Sequence, residues 1–140
     1  MHEREYRWIA DLAAPEVDTN HVRHPLILGM FADAVQGYYL DALALPFAVA
    51  YPPDAMPVFK ELTLSLTAEI FSGDRLQCGT RTVSRGRRSF VLEQALWRAD
   101  EPPAATCRSV VVTVGPEGAV PVPVAVAAAM DRFEGNPLGP

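Results

Sequence analysis

Residues 24–45 read HPLILGMFADAVQGYYLDALAL, the most apolar stretch of the chain, and their spacing decides the fold. Pro25 opens the segment, and proline suits the first turn of a helix because its missing N–H would be unpaired there anyway. Ile27, Phe31, Ala34, Tyr38, Ala42 and Leu45 recur three or four residues apart, and Met30 and Val35 widen the stripe. Asp33, Gln36 and Asp41 are the few polar interruptions. The spacing predicts one helix over Leu26 to Leu45, ended by Pro46, and so apolar a helix belongs inside a fold.

The segments on either side change period. After the Tyr51-Pro52-Pro53-Asp54 loop, Val58 to Thr67 alternates. Val58, Lys60, Leu62, Leu64 and Leu66 are expected on one face, and Phe59, Glu61, Thr63, Ser65 and Thr67 on the other. Three more strands are predicted: Arg75 to Ser84, Ser89 to Ala99, and Thr106 to Val114. The turns between them are Ser72-Gly73-Asp74, Arg85-Gly86-Arg87-Arg88 and the Asp100 to Pro103 break. Gly115 to Gly118 turns again, and Val124 to Phe133 is predicted as a short closing helix. Upstream, Glu3 to Leu12 reads as a strand with Tyr6, Trp8 and Ala10 on one face.

The order is thus strand, long buried helix, then a four-strand antiparallel meander. It predicts an α+β hotdog fold, in which an antiparallel sheet of about five strands wraps one helix. A sheet of that size covers the helix on one side and leaves bare edges. Two protomers are therefore expected to join edge to edge, as a dimer or a dimer of dimers. The 140 residues suit a single domain over 1–135 with a frayed tail at 136–140.

Composition narrows the function. Apolar residues make up 49% of the chain and charged ones 21%, enough for a packed core. With 17 acids against 12 bases the net charge is −5, which disfavours a partner held by phosphate neutralisation, so no nucleic acid is expected. No apolar run approaches the roughly 20 residues of a membrane span. The charged opening MHEREYRW lacks a signal peptide's apolar core, so a cytoplasmic location and no membrane partner are expected. Cys78 and Cys107 lack metal-ligand spacing and fall in strands, where they read as reduced core residues.

Chemistry concentrates just before the helix, in Glu16, Asp18, Asn20, His21, Arg23 and His24. The unpaired N–H groups of a helix start favour a developing negative charge such as a thioester oxyanion. A carboxylate beside them suits a general base or a nucleophile. The same residues also suit a plain loop, with Asp18 and Asn20 bonded to their own backbone and His24 capping the helix.

Asp18-Thr19-Asn20-His21-Val22-Arg23-His24-Pro25, followed by Phe31-Ala32-Asp33-Ala34, resembles the signature of the 4-hydroxybenzoyl-CoA thioesterase family of hotdog proteins. Lys60-Glu61-Leu62-Thr63-Leu64, Gly73-Asp74 and Gly86 to Ser89 follow in the family's order, so the resemblance spans about residues 4 to 130. It implies hydrolysis of an acyl-CoA or acyl-carrier-protein thioester, with coenzyme A entering only as part of the substrate and no metal or redox cofactor. It also implies that Asp18 is the catalytic carboxylate and that the backbone N–H at His24 polarises the carbonyl. Asn20, His21, Arg23, Pro25 and Asp33 would line the substrate site. Arg87 and Arg88, beside Ser89, would meet the phosphates of CoA with their guanidinium forks. The chain departs from the family at its acid, which falls one residue closer to His21, with Val17 at the usual position. Asn20 stands where glycine is usual, Ile27 where a helix tyrosine is usual, and Arg23-His24 replaces an Asn pair. Two other functions remain open. One is a hotdog hydratase or dehydratase, which Asp18-Thr19-Asn20 echoes in part; the other is an acyl-thioester binding protein without a base. Asp11 is the next candidate acid.

Overall fold

The central helix, α1, runs His24–Gly37 and begins where Arg23 is still extended (φ −78°, ψ 156°), with Pro25 in its first turn. The computed structural model describes residues 5–135. Ile27, Met30, Phe31, Ala34 and Val35 form the buried stripe. Leu26, Gly29, Ala32, Asp33 and Gln36 lie on the opposite, open side, so the sheet covers one face of α1. The helix does not reach Leu45 as its pattern predicts. It widens into a π-helical turn over Tyr38–Ala42, and Ala44 takes a left-handed φ of 56°. Successive side chains lie closer in angle on the wider turn, and here both Tyr38 and Tyr39 are buried. Each hydroxyl is satisfied: Tyr38 donates to Glu134 at 2.6 Å and pairs with Thr82 at 2.9 Å, while Tyr39 meets Tyr51 at 2.6 Å.

Around α1 curls one antiparallel sheet: β1 Trp8–Ala13, β2 Met56–Leu66, β3 Arg75–Arg85, β4 Ser89–Trp97, β5 Ala105–Gly115 and the short β6 Gly118–Ala119. The strand order is β1-β3-β4-β5-β2, with β6 also paired to β5. This is the hotdog arrangement, with one correction to the predicted meander: β2 crosses the sheet to pair with β5 and not with β3. A one-turn helix, α2 (Phe47–Ala50), precedes β2, and α3 (Val124–Glu134) closes the chain. α3 is anchored by a two-pronged Arg85–Asp131 ion pair (3.1 and 2.6 Å).

Two expected strand faces are revised. The first strand runs Trp8–Ala13; the Glu3 end of the expected strand lies outside the described residues, as does the 136–140 tail. Tyr6 and Trp8 do not share a face. Tyr6 stacks on Trp97 (centroids 6.1 Å apart), whereas Trp8 meets Tyr38 edge-on at 6.0 Å. Gly79 makes room for this, because a Cβ there would run into the Tyr6 ring.

In β2, a bulge between Phe59 and Glu61 leaves Lys60 unopposed and reverses the alternation. Pro57 and Phe59 oppose buried Thr113 and Val111, and beyond the bulge Leu62, Leu64 and Leu66 oppose buried Ser109, Cys107 and Ala105. Phe59 therefore turns toward the helix with the leucines, and Val58 turns away.

The core has two ends. Val22, Ile27 and Phe31 pack with Ile70, Leu76 and Ala105 around the helix start. Val35, Tyr38 and Tyr39 pack with Phe90, Val111 and Val126 at its far end. Cys78 and Cys107 are free and buried, and burial pushes the Cys78 thiol up to about 12, as suits a core residue. Among the described residues, no helix is long and apolar enough to cross a membrane.

Candidate active site at the start of the central helix

The segment before α1 is held by the connection between β2 and β3. The Ala14 N–H donates to Asp74 O (2.7 Å), the Val17 N–H to Ser72 Oγ (2.8 Å), and the Val22 N–H to Ile70 O (2.8 Å). Ser72 also donates to Glu16 at 3.2 Å, and its own N–H donates to Asn20 O at 2.7 Å. Asp18-Thr19-Asn20 forms the exposed turn of this loop, closed by the Asn20 N–H on Val17 O (3.3 Å). Asn20 sits at φ 65°. That left-handed conformation favours glycine and is tolerated by asparagine, so the departure from the family's glycine keeps the turn.

His21 is engaged in the scaffold. Its Nδ1 lies 3.1 Å from Glu69 Oε2, its ring leans on Phe71 (centroids 5.1 Å apart), and Thr19 Oγ1 donates to its carbonyl at 3.0 Å. His24 does not cap the helix. The cap residue is Arg23, without a side-chain hydrogen bond to the helix, and His24 is the first helical residue, with an exposed side chain.

Few backbone donors are open at the helix mouth. Pro25 has no N–H. The N–H groups of Leu26 and Ile27 both turn back onto Arg23 O, at 3.0 and 3.2 Å. That leaves the His24 N–H as the donor of the first turn not spent on the Arg23 carbonyl. It stands at the positive end of the helix dipole, six residues after the Asp18 carboxylate.

Along its open side, α1 borders an apolar groove closed by β2. One cavity of about 230 Å³ is lined by Leu28, Gly29, Ala32, Phe59, Leu62 and Cys107, among others. A second, of about 110 Å³, is lined by Val35, Tyr39, Phe59, Phe90, Leu92 and Val111, among others. Phe59 borders both. Phe59 and Leu62 face the helix yet remain 41% and 49% exposed, so the groove is an open slot and not a closed core. Sequence reading missed these residues because the bulge hides which face Phe59 takes.

Other expected site residues lie apart. Asp33 and Gln36 are exposed on α1, beyond Gly29 and Ala32. Arg87, Arg88 and Ser89 form the β3–β4 turn at the far end of the core, where the carbonyls of Arg87 and Arg88 accept from Val122 and Thr113 (both 2.9 Å). One protomer does not bring them to the helix start. Asp11 faces Gln77 on the edge of the sheet at 3.5 Å.

Comparison with known proteins bears on this arrangement. A family model described as the thioesterase superfamily matches residues 28–105, beginning inside α1, past Asp18 and His24. No curated protein matches the sequence. Among solved structures, a thioesterase superfamily protein from Jannaschia sp. CCS1 is 23% identical, with a TM-score of 0.76 over 94% of this chain and 85% of that one. A gentisyl-coenzyme A thioesterase is 17% identical, with a TM-score of 0.76 over 88% of this chain and 99% of that one. A thioesterase from Thermus thermophilus, complexed with coenzyme A and zinc, is 22% identical, with a TM-score of 0.69 over 91% of this chain and 96% of that one. At these identities the likeness is one of fold.

Proposed function

This chain belongs to the thioesterase superfamily, and from that premise we propose that it hydrolyses an acyl-CoA or acyl-carrier-protein thioester at the mouth of α1. The observation that carries the reading is the His24 N–H, the donor left over when Pro25 has none and Leu26 and Ile27 turn inward. A thioester carbonyl about 3 Å from that N–H would gain most as its oxygen becomes an anion.

Asp18 is the carboxylate. As general base it takes a proton from water while the water oxygen bonds to the carbonyl carbon. The oxyanion then collapses, the carbon–sulfur bond breaks, and the proton passes to the departing sulfur, giving one acid and one thiol per water consumed. Asp18 can also attack the carbonyl itself, and water then cleaves the resulting anhydride. The exposed turn suits either role, since its backbone is fixed by the β2–β3 connection while the carboxylate stays open to solvent. Asn20, His21, Arg23 and Pro25 shape the approach, with His21 bracing the loop through Glu69.

The free edge of β2 is the seat of a second copy. β2 pairs with β5 alone among the described strands, and it is 11 residues long with Met56 and Val58 exposed. Natural sheets seldom leave such an edge bare. A structural relative that holds coenzyme A supports CoA as the leaving thiol.

The test is thiol release from a panel of acyl-CoAs by the wild type and Asp18→Asn. Release with the wild type and a loss of about 100-fold or more in kcat with the variant are expected. Equal rates would remove Asp18 from the chemistry, and binding without release by the wild type would make the protein an acyl-thioester carrier.

A further inference from the structure

The larger cavity of the groove has one polar point. Among the described residues that line it, Gln94 alone carries an amide, a hydroxyl or a charge; its neighbours there include Leu28, Phe31, Phe59, Leu62 and Cys107. Gln94 is 2% exposed and sits in β4 opposite buried Thr80 on β3 and buried Cys107 on β5. Its side chain reaches up to the backbone of α1, so it stands on the helix-facing side of the sheet.

Both of its N–H groups are spent. Nε2 donates to Phe31 O at 2.9 Å and to Thr80 Oγ1 at 3.0 Å. A backbone carbonyl only accepts, so the Phe31 contact fixes which end of the amide carries the nitrogen. Oε1 is thereby left over, with no hydrogen-bond partner among the described residues. It is not sealed in either. The side-chain polar atoms that are both unpartnered and shut away from any surface are Arg81 Nε, Ser109 Oγ and Thr113 Oγ1. Gln94 Oε1 keeps accessible surface, and the helix-facing space that Gln94 borders is the larger cavity.

We propose that the groove selects an acyl group bearing a hydroxyl partway along an otherwise hydrocarbon chain, and that Gln94 is the specificity-determining residue, its Oε1 accepting from that hydroxyl. This rests on the thioesterase reading and names its substrate class. The contact has one polarity. Gln94 has no N–H left to offer, so a keto group at the same carbon would set one acceptor against another. An unsubstituted chain would dry the cavity and leave Oε1 without a bond. The place of the hydroxyl follows from the helix: Phe31 lies seven residues past His24, about 10 Å along the axis. The chain must therefore run well beyond its thioester carbon before its hydroxyl meets Gln94.

The experiment measures calorimetric affinity of the wild type for free octanoate and for its derivatives with a hydroxyl or a keto group at carbon 5, 6 or 7. Thiol release from the matching CoA esters is followed alongside. At least one hydroxy acid should bind about five- to tenfold more tightly than octanoate, the worth of one net hydrogen bond. Its keto counterpart should bind no better than octanoate. Gln94→Leu, shown to be folded by its thermal melt, should bind hydroxy and plain acids alike. The proposal falls if no acid binds, if every hydroxy acid binds no better than octanoate, if keto and hydroxy acids bind equally, or if folded Gln94→Leu keeps the preference. Should that variant fail to fold, the wild-type contrast between hydroxyl and keto decides alone. Hydroxyl preference in binding without thiol release from any ester would overturn the hydrolase reading while leaving the groove's selectivity standing.

Discussion

Replacing His24 with proline deletes one backbone N–H and disturbs little else. Arg23 already holds the extended conformation (φ −78°, ψ 156°) that a following proline requires, and the first helical position tolerates proline. The helix keeps its first backbone bonds, because these run from Leu26 and Ile27 to Arg23 O. If the His24 N–H holds the oxyanion, its loss removes about 2.7–4 kcal/mol of transition-state stabilisation, which lowers kcat by about 10²–10³. His24→Ala is the matched control: it removes the imidazole and keeps the N–H, and it should cost only a few-fold. Thiol release from saturating acyl-CoA gives kcat for both variants, and thermal melts followed by circular dichroism establish that both are folded. If His24→Pro turns over as fast as His24→Ala, the oxyanion donor lies elsewhere and the helix-mouth mechanism is refuted.

Burial also makes the fold sensitive to alkali. Tyr6 and Tyr51 are pushed up to about 12 by desolvation, Cys78 likewise, and Tyr38 and Tyr39 are raised still further. In the unfolded chain these groups ionise near their ordinary values, about 10 for tyrosine and 8.5 for cysteine. The unfolded state therefore sheds protons first. The stability these groups contribute is fully present below about pH 8.5 and is lost as pH rises through 10 toward 12, by up to about 1.4 kcal/mol per pH unit for each buried tyrosine. The urea midpoint should hold steady from pH 7 to 8.5 and fall steeply between 9.5 and 11; a flat profile to pH 11 would contradict the burial argument. The bare edge of β2 predicts a dimer or larger assembly at micromolar concentration by sedimentation equilibrium, and a monomer there would remove the second copy from the site.

The helix and the strands were legible as elements because each holds its period over most of its length, and the pre-helix loop was legible as a candidate site because its polar residues abut an apolar helix. What stayed hidden depends on contacts distant in sequence. The crossing of β2 to β5 depends on how the whole sheet wraps α1, which alternation along β2 does not encode. The bulge at Lys60 is equally silent: without its β5 partner nothing marks the residue as unopposed, and the phase read before it fails after it.

The two halves of the expected site lie at opposite ends of one protomer. Asp18 and His24 sit at the start of α1, and Arg87 and Arg88 sit beyond its far end, where Phe90 and Val111 pack on Val35 and Tyr39. Fourteen residues of helix at about 1.5 Å each separate them by about 21 Å along the axis. The second copy proposed on the β2 edge would change that geometry. With a two-fold axis across the β2 edges, the partner's helix would run the opposite way and its guanidinium turn would lie toward the first protomer's helix start. On this reading the dimer is part of the active site and not an accessory to it. Each thioester carbonyl would meet the loop of one chain while the CoA phosphates meet the arginines of the other, so weakening the β2 edge should weaken CoA-ester binding together with assembly.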